Sequence, residues 1–202
     1  EKALQTTEDS IFEGELLNVA VLFCDIRGFT QISETLTPKD VVSFLNDYYS
    51  IMSTPIHKYN GNINQFVGDE IFAIFGAPIA NLNNEKNALL CAVEMMGNLQ
   101  HLNQVYRDKL IKPISVGIGI NSGEVVAGNL GTSEKLEYSV TGDTVNTGKR
   151  IEMLTKDYPD IILISENVYN NTLDLVKCQA WEPMTVKGKK EKILVYQVCE
   201  RI

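Results

Sequence analysis

The chain has 202 residues, 44% of them apolar and 22% charged, the composition of one soluble globular domain with a sizeable core. Its net charge of −8 argues against a general nucleic-acid or anionic-membrane surface, since both need a basic face. A phosphate ligand must therefore be met by a local group of cations or by metal ions.

Residues 1–16 are polar and without a clear period, and read as a linker or tail ahead of a domain over 17–202. From Asn18 the run to Ile26 is almost continuously apolar, as in a strand buried on both faces, with Asp25 near its end. Gly28-Phe29-Thr30 then breaks the strand and leads toward helix. Thr37-Pro38 supplies an N-cap hydroxyl and a proline at the first helical position. Val41, Leu45, Tyr48, Tyr49 and Met52 follow at helical spacing to about His57, and Gly61 ends the segment. Two short strands, 63–67 and 71–75, are joined tightly through Gly68-Asp69, a hairpin signal.

A second long helix starts at Asn83-Asn84, with Leu89, Ala92, Val93, Met96 and Leu99 on one face, and ends before Pro113. Residues 114–120 and 125–130 read as another hairpin, turning at Asn121-Ser122-Gly123. After a polar loop, 143–154 is helical, 161–164 is a strand, and the tail holds hairpin-like segments ending at 193–199. The order β-α-β-β-α-β with an α/β extension is an α+β, ferredoxin-like arrangement.

In that arrangement the first strand lies beside and antiparallel to the third, so the strand end carrying Asp25 neighbours the hairpin tip carrying Asp69. Taken singly, each aspartate is accounted for by turn chemistry. Brought together, two carboxylates suit a hard divalent cation whose other ligands are phosphate and water. The stretch between Ile26 and Thr30 follows a strand and opens a helix, where backbone N–H groups face an anion.

These residues carry a resemblance. The blocks Phe23-Cys24-Asp25-Ile26-Arg27-Gly28-Phe29-Thr30, Phe66-Val67-Gly68-Asp69-Glu70, residues 142–150 (Gly-Asp-Thr-Val-Asn-Thr-Gly-Lys-Arg) and Val186-Lys187-Gly188-Lys189 resemble, in order and in spacing, the signature blocks of class III adenylyl and guanylyl cyclases. Glu137-Tyr138-Ser139-Val140 and Gly76-Ala77-Pro78 look most like the bacterial branch that includes the bicarbonate-responsive enzymes.

The resemblance implies the class III cyclase homology fold and a two-metal mechanism. Asp25, Asp69 and the carbonyl of Ile26 would hold two Mg²⁺ or Mn²⁺ ions, beside Gly28, Phe29 and Thr30. Asn146 would orient the ribose, Arg150 would stabilise charge on the α-phosphate, and Lys187 would hold the terminal phosphates. The aspartates come from one subunit and the other three residues from its partner, so a head-to-tail homodimer is expected.

The two base-reading positions fall at Gln65 and Ser139, which depart from the usual adenylyl pair (lysine with aspartate or threonine) and the usual guanylyl pair (glutamate with cysteine). Gln and Ser each donate or accept. ATP is the expected substrate, because Ser139 is nearest to threonine, with GTP as the alternative. Glu124 stands where some relatives carry a phosphate-contacting arginine. A diguanylate cyclase of the GGDEF type fits less well, because the hairpin lacks the doubled glycine and Asn146 and Arg150 have no place there. A non-catalytic dimerising nucleotide-binding module is the remaining alternative.

Cys24, Cys91, Cys178 and Cys199 show no C-x-x-C pair and no metal-ligand spacing, which points to a reduced, cytoplasmic setting. No apolar run approaches a span of roughly 20 residues, so no membrane contact is expected within this chain. Opening on Glu1 rather than methionine suggests a piece of a longer protein, one that other modules could attach to a membrane. His57 and His101 have no paired ligand and read as surface or packing residues.

Overall fold

The computed structural model describes residues 14–110, 112–132, 135–184 and 192–201. In chain order the elements are β1 (Glu15–Ile26), α1 (Phe29–Ser33), α2 (Pro38–Lys58), β2 (Gly61–Val67), β3 (Glu70–Phe75), α3 (Asn84–Tyr106), β4 (Val116–Thr132), β5 (Lys135–Thr141), α4 (Asp143–Met153), β6 (Ile161–Ser165), α5 (Glu166–Asn170), β7 (Val176–Ala180) and β8 (Val195–Arg201). One sheet runs β2-β3-β1-β4-β6-β8-β7, with β5 paired to β4 off that path. The first four strands, in the order β2-β3-β1-β4, give the ferredoxin-like core expected from the element order, and β5 to β8 form the extension.

The near-continuous apolar run of β1 is split by its period of two. Ala20, Leu22, Cys24 and Ile26 enter the main core beneath α2 and α3, with Phe44, Tyr48, Met52, Leu89 and Met95. Val19, Val21 and Phe23 point to the other face, where they meet Phe72, Ile74, Val125 and Val140 under α4. Phe23 and Phe72 stack with centroids 4.4 Å apart. Asp25 is next in this second series, so the strand that fills both cores delivers a carboxylate to the α4 face.

Thr37 caps α2 by accepting from the Asp40 backbone N–H at 3.2 Å, as the Thr-Pro start predicts. The expected hairpin at Asn121-Ser122-Gly123 does not form. Instead β4 is one strand of 17 residues, pairing with β1 over Val116 to Ala127 and with β5 over Val126 to Thr132. The polar triplet is used for packing rather than turning: Asn121 is buried and donates to the Thr144 carbonyl at 2.8 Å, fixing the start of α4. Past Thr132 the described chain resumes at Lys135 as β5, antiparallel to β4, so the loop assigned after β4 in fact contains a strand. Among the described residues no helix is long and apolar enough to cross a membrane.

Candidate active site

Asp25 stands one residue from the end of β1, opposite Gly117 of β4. Asp69 occupies the turn between β2 and β3, and β3 is antiparallel to β1, so the turn comes to the same sheet edge. The two carboxylates come together at the rim of one depression. Burial, then the neighbouring Asp25, push Asp69 up to about 7, against the pull of donors from its own backbone N–H and that of Ile26. Two carboxylates crowded at a half-buried edge are what a divalent cation relieves, so the donor set fits the metal that the sequence implies. Tyr49 holds the turn in place: its hydroxyl donates to the Gly68 carbonyl and its ring stacks on Phe66 at 4.2 Å.

Asp25, Ile26, Arg27, Gly28, Phe29, Thr30 and Asp69 line one open depression of about 310 Å³, joined by Lys156. Gly28 makes the bend from β1 into α1 with φ 67° and ψ 29°, a left-handed conformation that favours glycine. Phe29 packs toward Phe44 of the main core, 6.1 Å between centroids, which anchors the bend.

Asn146 and Arg150 lie one turn apart on α4. Asn146 is exposed. Arg150 places Nη1 3.9 Å from Asp143 Oδ1, too long for a hydrogen bond, and this buried nitrogen has no hydrogen-bond partner. Gln65 is exposed on β2 opposite Phe72, and Ser139 is half-buried on β5 opposite Gly128. Lys187 falls outside the described residues.

The structure therefore brings Asp25, Ile26, Gly28, Phe29, Thr30 and Asp69 into one depression and holds Asn146 and Arg150 on α4. Sequence reasoning missed the charges between these groups. Arg27 Nη2 pairs with Glu152 and donates to the Asp25 carbonyl at 3.1 Å. Lys149 pairs with Glu70 and bonds Glu152 at 2.6 Å. A signal was available, since Val145, Gly148 and Glu152 fall at i, i+3 and i+7, which puts a carboxylate in the inward stripe of α4. Lys156 carried no such mark. Gly119 explains how Glu152 comes so near the sheet, because a Cβ there would stand 2.2 Å from the Glu152 backbone nitrogen.

Residues 13–200 match the family of the adenylate and guanylate cyclase catalytic domain. Adenylate cyclase 1 of Rhizobium meliloti is 34% identical over 180 residues, which is 89% of this chain but 27% of that relative. Among solved structures, the adenylyl cyclase CyaB from P. aeruginosa superposes with TM-score 0.86 at 31% identity, over 93% of this chain and 96% of that one. The guanylyl cyclase Cya2 does so with TM-score 0.84 at 36% identity, over 92% and 93%. With the family matched along almost its whole length and the fold shared with solved members, this chain belongs to the adenylate and guanylate cyclase catalytic-domain family.

Proposed function

We propose that the chain is the catalytic domain of an adenylate cyclase, forming 3′,5′-cyclic AMP and pyrophosphate from ATP at the interface of a head-to-tail homodimer. The observation that carries this reading is the convergence of Asp25 and Asp69 in one depression with the Gly28-Phe29-Thr30 bend. Asp25, Asp69 and the Ile26 carbonyl would hold two Mg²⁺ or Mn²⁺ ions, which lower the pKa of the ribose 3′-hydroxyl and neutralise phosphate charge. The bend and Lys156 receive the phosphates on the same chain. Arg150, whose Nη1 is buried without a hydrogen-bond partner, stabilises charge growing on the α-phosphate, and Asn146 orients the ribose. The role of Lys187 at the terminal phosphates rests on the resemblance of its block alone.

The spacing along β4 supports a shared site. Asp25 pairs at Gly117 and Ser139 at Gly128, roughly 35 Å apart along an extended strand. One nucleotide then draws its metal ligands and its base reader from different chains. Exposed Phe66, Val67, Val126, Leu130 and Leu136 offer apolar surface for the second copy.

With Gln65 donating to adenine N1 and Ser139 accepting from the 6-amino group, ATP fits. A flipped amide and a donating hydroxyl accept guanine instead, and the likeness to Cya2 makes guanylyl or dual specificity the second reading. A non-catalytic module is disfavoured, because both aspartates, Asn146 and Arg150 are retained. The free cysteines support a cytoplasmic setting.

The test is a chromatographic product assay with ATP and GTP supplied separately, each with Mg²⁺ and with Mn²⁺, at protein concentrations that allow dimerisation. Cyclic AMP as the main product is expected. Mainly cyclic GMP would reverse the substrate, and no cyclic product from either would favour the non-catalytic module.

A further inference from the structure

Glu152 sits in the inward stripe of α4, where an apolar side chain would serve packing, yet it brings a carboxylate that is 1% exposed. A buried carboxylate is costly unless paired and fully bonded. It is so bonded: Oε1 receives Arg27 Nη2 and Oε2 receives Lys149 Nζ at 2.6 Å.

Arg27 faces two carboxylates with the same nitrogen. Nη2 pairs with Glu152, donates to the Asp25 backbone carbonyl at 3.1 Å, and stands 3.6 Å from Asp25 Oδ2. The Arg27 side chain is 11% exposed, so it has little water to turn to. Its Nε has no hydrogen-bond partner, which leaves the guanidinium secured only at its far end. A guanidinium this close to Asp25 is a resident cation that competes with any metal ion for the aspartate charge. Glu152 is the group that draws it away.

We propose that Glu152 is a positioning residue that holds the Arg27 guanidinium off the Asp25 carboxylate and so keeps the Asp25–Asp69 pair available to a divalent cation. The inference rests on the metal reading of that pair. Lys149 extends the arrangement by bridging Glu152 to Glu70, the neighbour of Asp69, so both arms of the pair are tied to α4.

The experiment measures Mn²⁺ binding to the purified protein from the electron paramagnetic resonance signal of the free ion, with no nucleotide present. Glu152→Gln releases Arg27 and is expected to weaken Mn²⁺ binding by about 10- to 100-fold, the range for residues that orient metal ligands. Adding Arg27→Gln removes the competitor, so the double variant is expected to return to within about threefold of the wild type, a coupling that independent sites do not show. Wild-type binding by Glu152→Gln, or a double variant as weak as the single one, would overturn the proposal. Undiminished binding by Asp69→Asn would instead overturn the metal reading beneath it.

Thermal melts of the same samples report folding. If Glu152→Gln does not fold, Glu152→Asp keeps the charge beside Lys149 but withdraws it by one methylene from Arg27. It should weaken Mn²⁺ binding less than the amide, and Arg27→Gln should restore it. Absence of that restoration again overturns the proposal.

Discussion

Arg27 lies two residues beyond Asp25, Glu152 lies two residues beyond Arg150, and their side chains meet in a buried ion pair. Removing one partner of such a pair strands the other charge. Glu152→Ala is expected to cost about 3–5 kcal/mol of unfolding free energy, measured by urea denaturation. Lys149→Ala leaves the buried Glu152 Oε2 without its donor but keeps the Arg27 pair, so it should cost less, about 1–3 kcal/mol.

Asp69→Ala should abolish metal-dependent turnover while leaving the thermal melt of the domain in place, because the residue occupies a turn rather than the core. Arg150→Ala should lower kcat by about 10²–10³-fold, the usual cost of one preorganised charge stabiliser. In the homodimer reading, mixing these two inactive variants restores one intact site per heterodimer, which a cyclic-nucleotide assay of the mixture would detect. A mixture as inactive as its components would remove the shared site.

The raised Asp69 gives a pH signature with a definite sign. Its folded value of about 7 lies above the ordinary 3.8, so the folded state holds the proton more tightly. The contribution of this group to stability is complete below about 3.8 and is lost as pH rises through 7. Metal-free protein should thus lose melting temperature across that window relative to Asp69→Asn. Mn²⁺ affinity should run the other way and fall as pH drops through 7, since proton and metal compete for the same oxygens.

Lys156 is exposed, lies in the depression with both aspartates, and forms no side-chain ion pair among the described residues. Lys156→Ala should raise KM for the nucleotide by about tenfold, as for loss of one charge-assisted hydrogen bond, with a smaller effect on kcat. An unchanged KM would make it a bystander of the depression.

Base choice is the most easily redirected property. Gln65→Glu places an acceptor-only group against the base, which opposes adenine N1 and suits the guanine donors. The ratio of GTP to ATP turnover should rise by at least about tenfold, measured as kcat/KM on each nucleotide.

Much of this was legible in the sequence because the governing patterns are local. The Thr-Pro start of α2, the apolar run of β1 and the Gly68-Asp69 turn each state their structure within a few residues, and β1 to β4 then bring Asp25 to Asp69. Asn121-Ser122-Gly123 misled for the opposite reason. Turn-forming residues were read by local preference, while the side chain of Asn121 was committed to the Thr144 carbonyl, far along the chain. The Arg27–Glu152 pair was hidden in the same way, since 125 positions separate its partners: the carboxylate in the inward stripe of α4 marks Glu152 but does not name its partner.

The main core lies wholly on the α2 and α3 side of the sheet and is filled by this chain's own residues, so the fold is complete before any partner arrives. If each working site takes residues from two chains, folding and activation are then separate events. At concentrations too low for pairing, the rate should grow with the square of the amount of protein. Anything that merely gathers two copies, such as a shared scaffold or a tethering module, would switch on synthesis without reshaping either one.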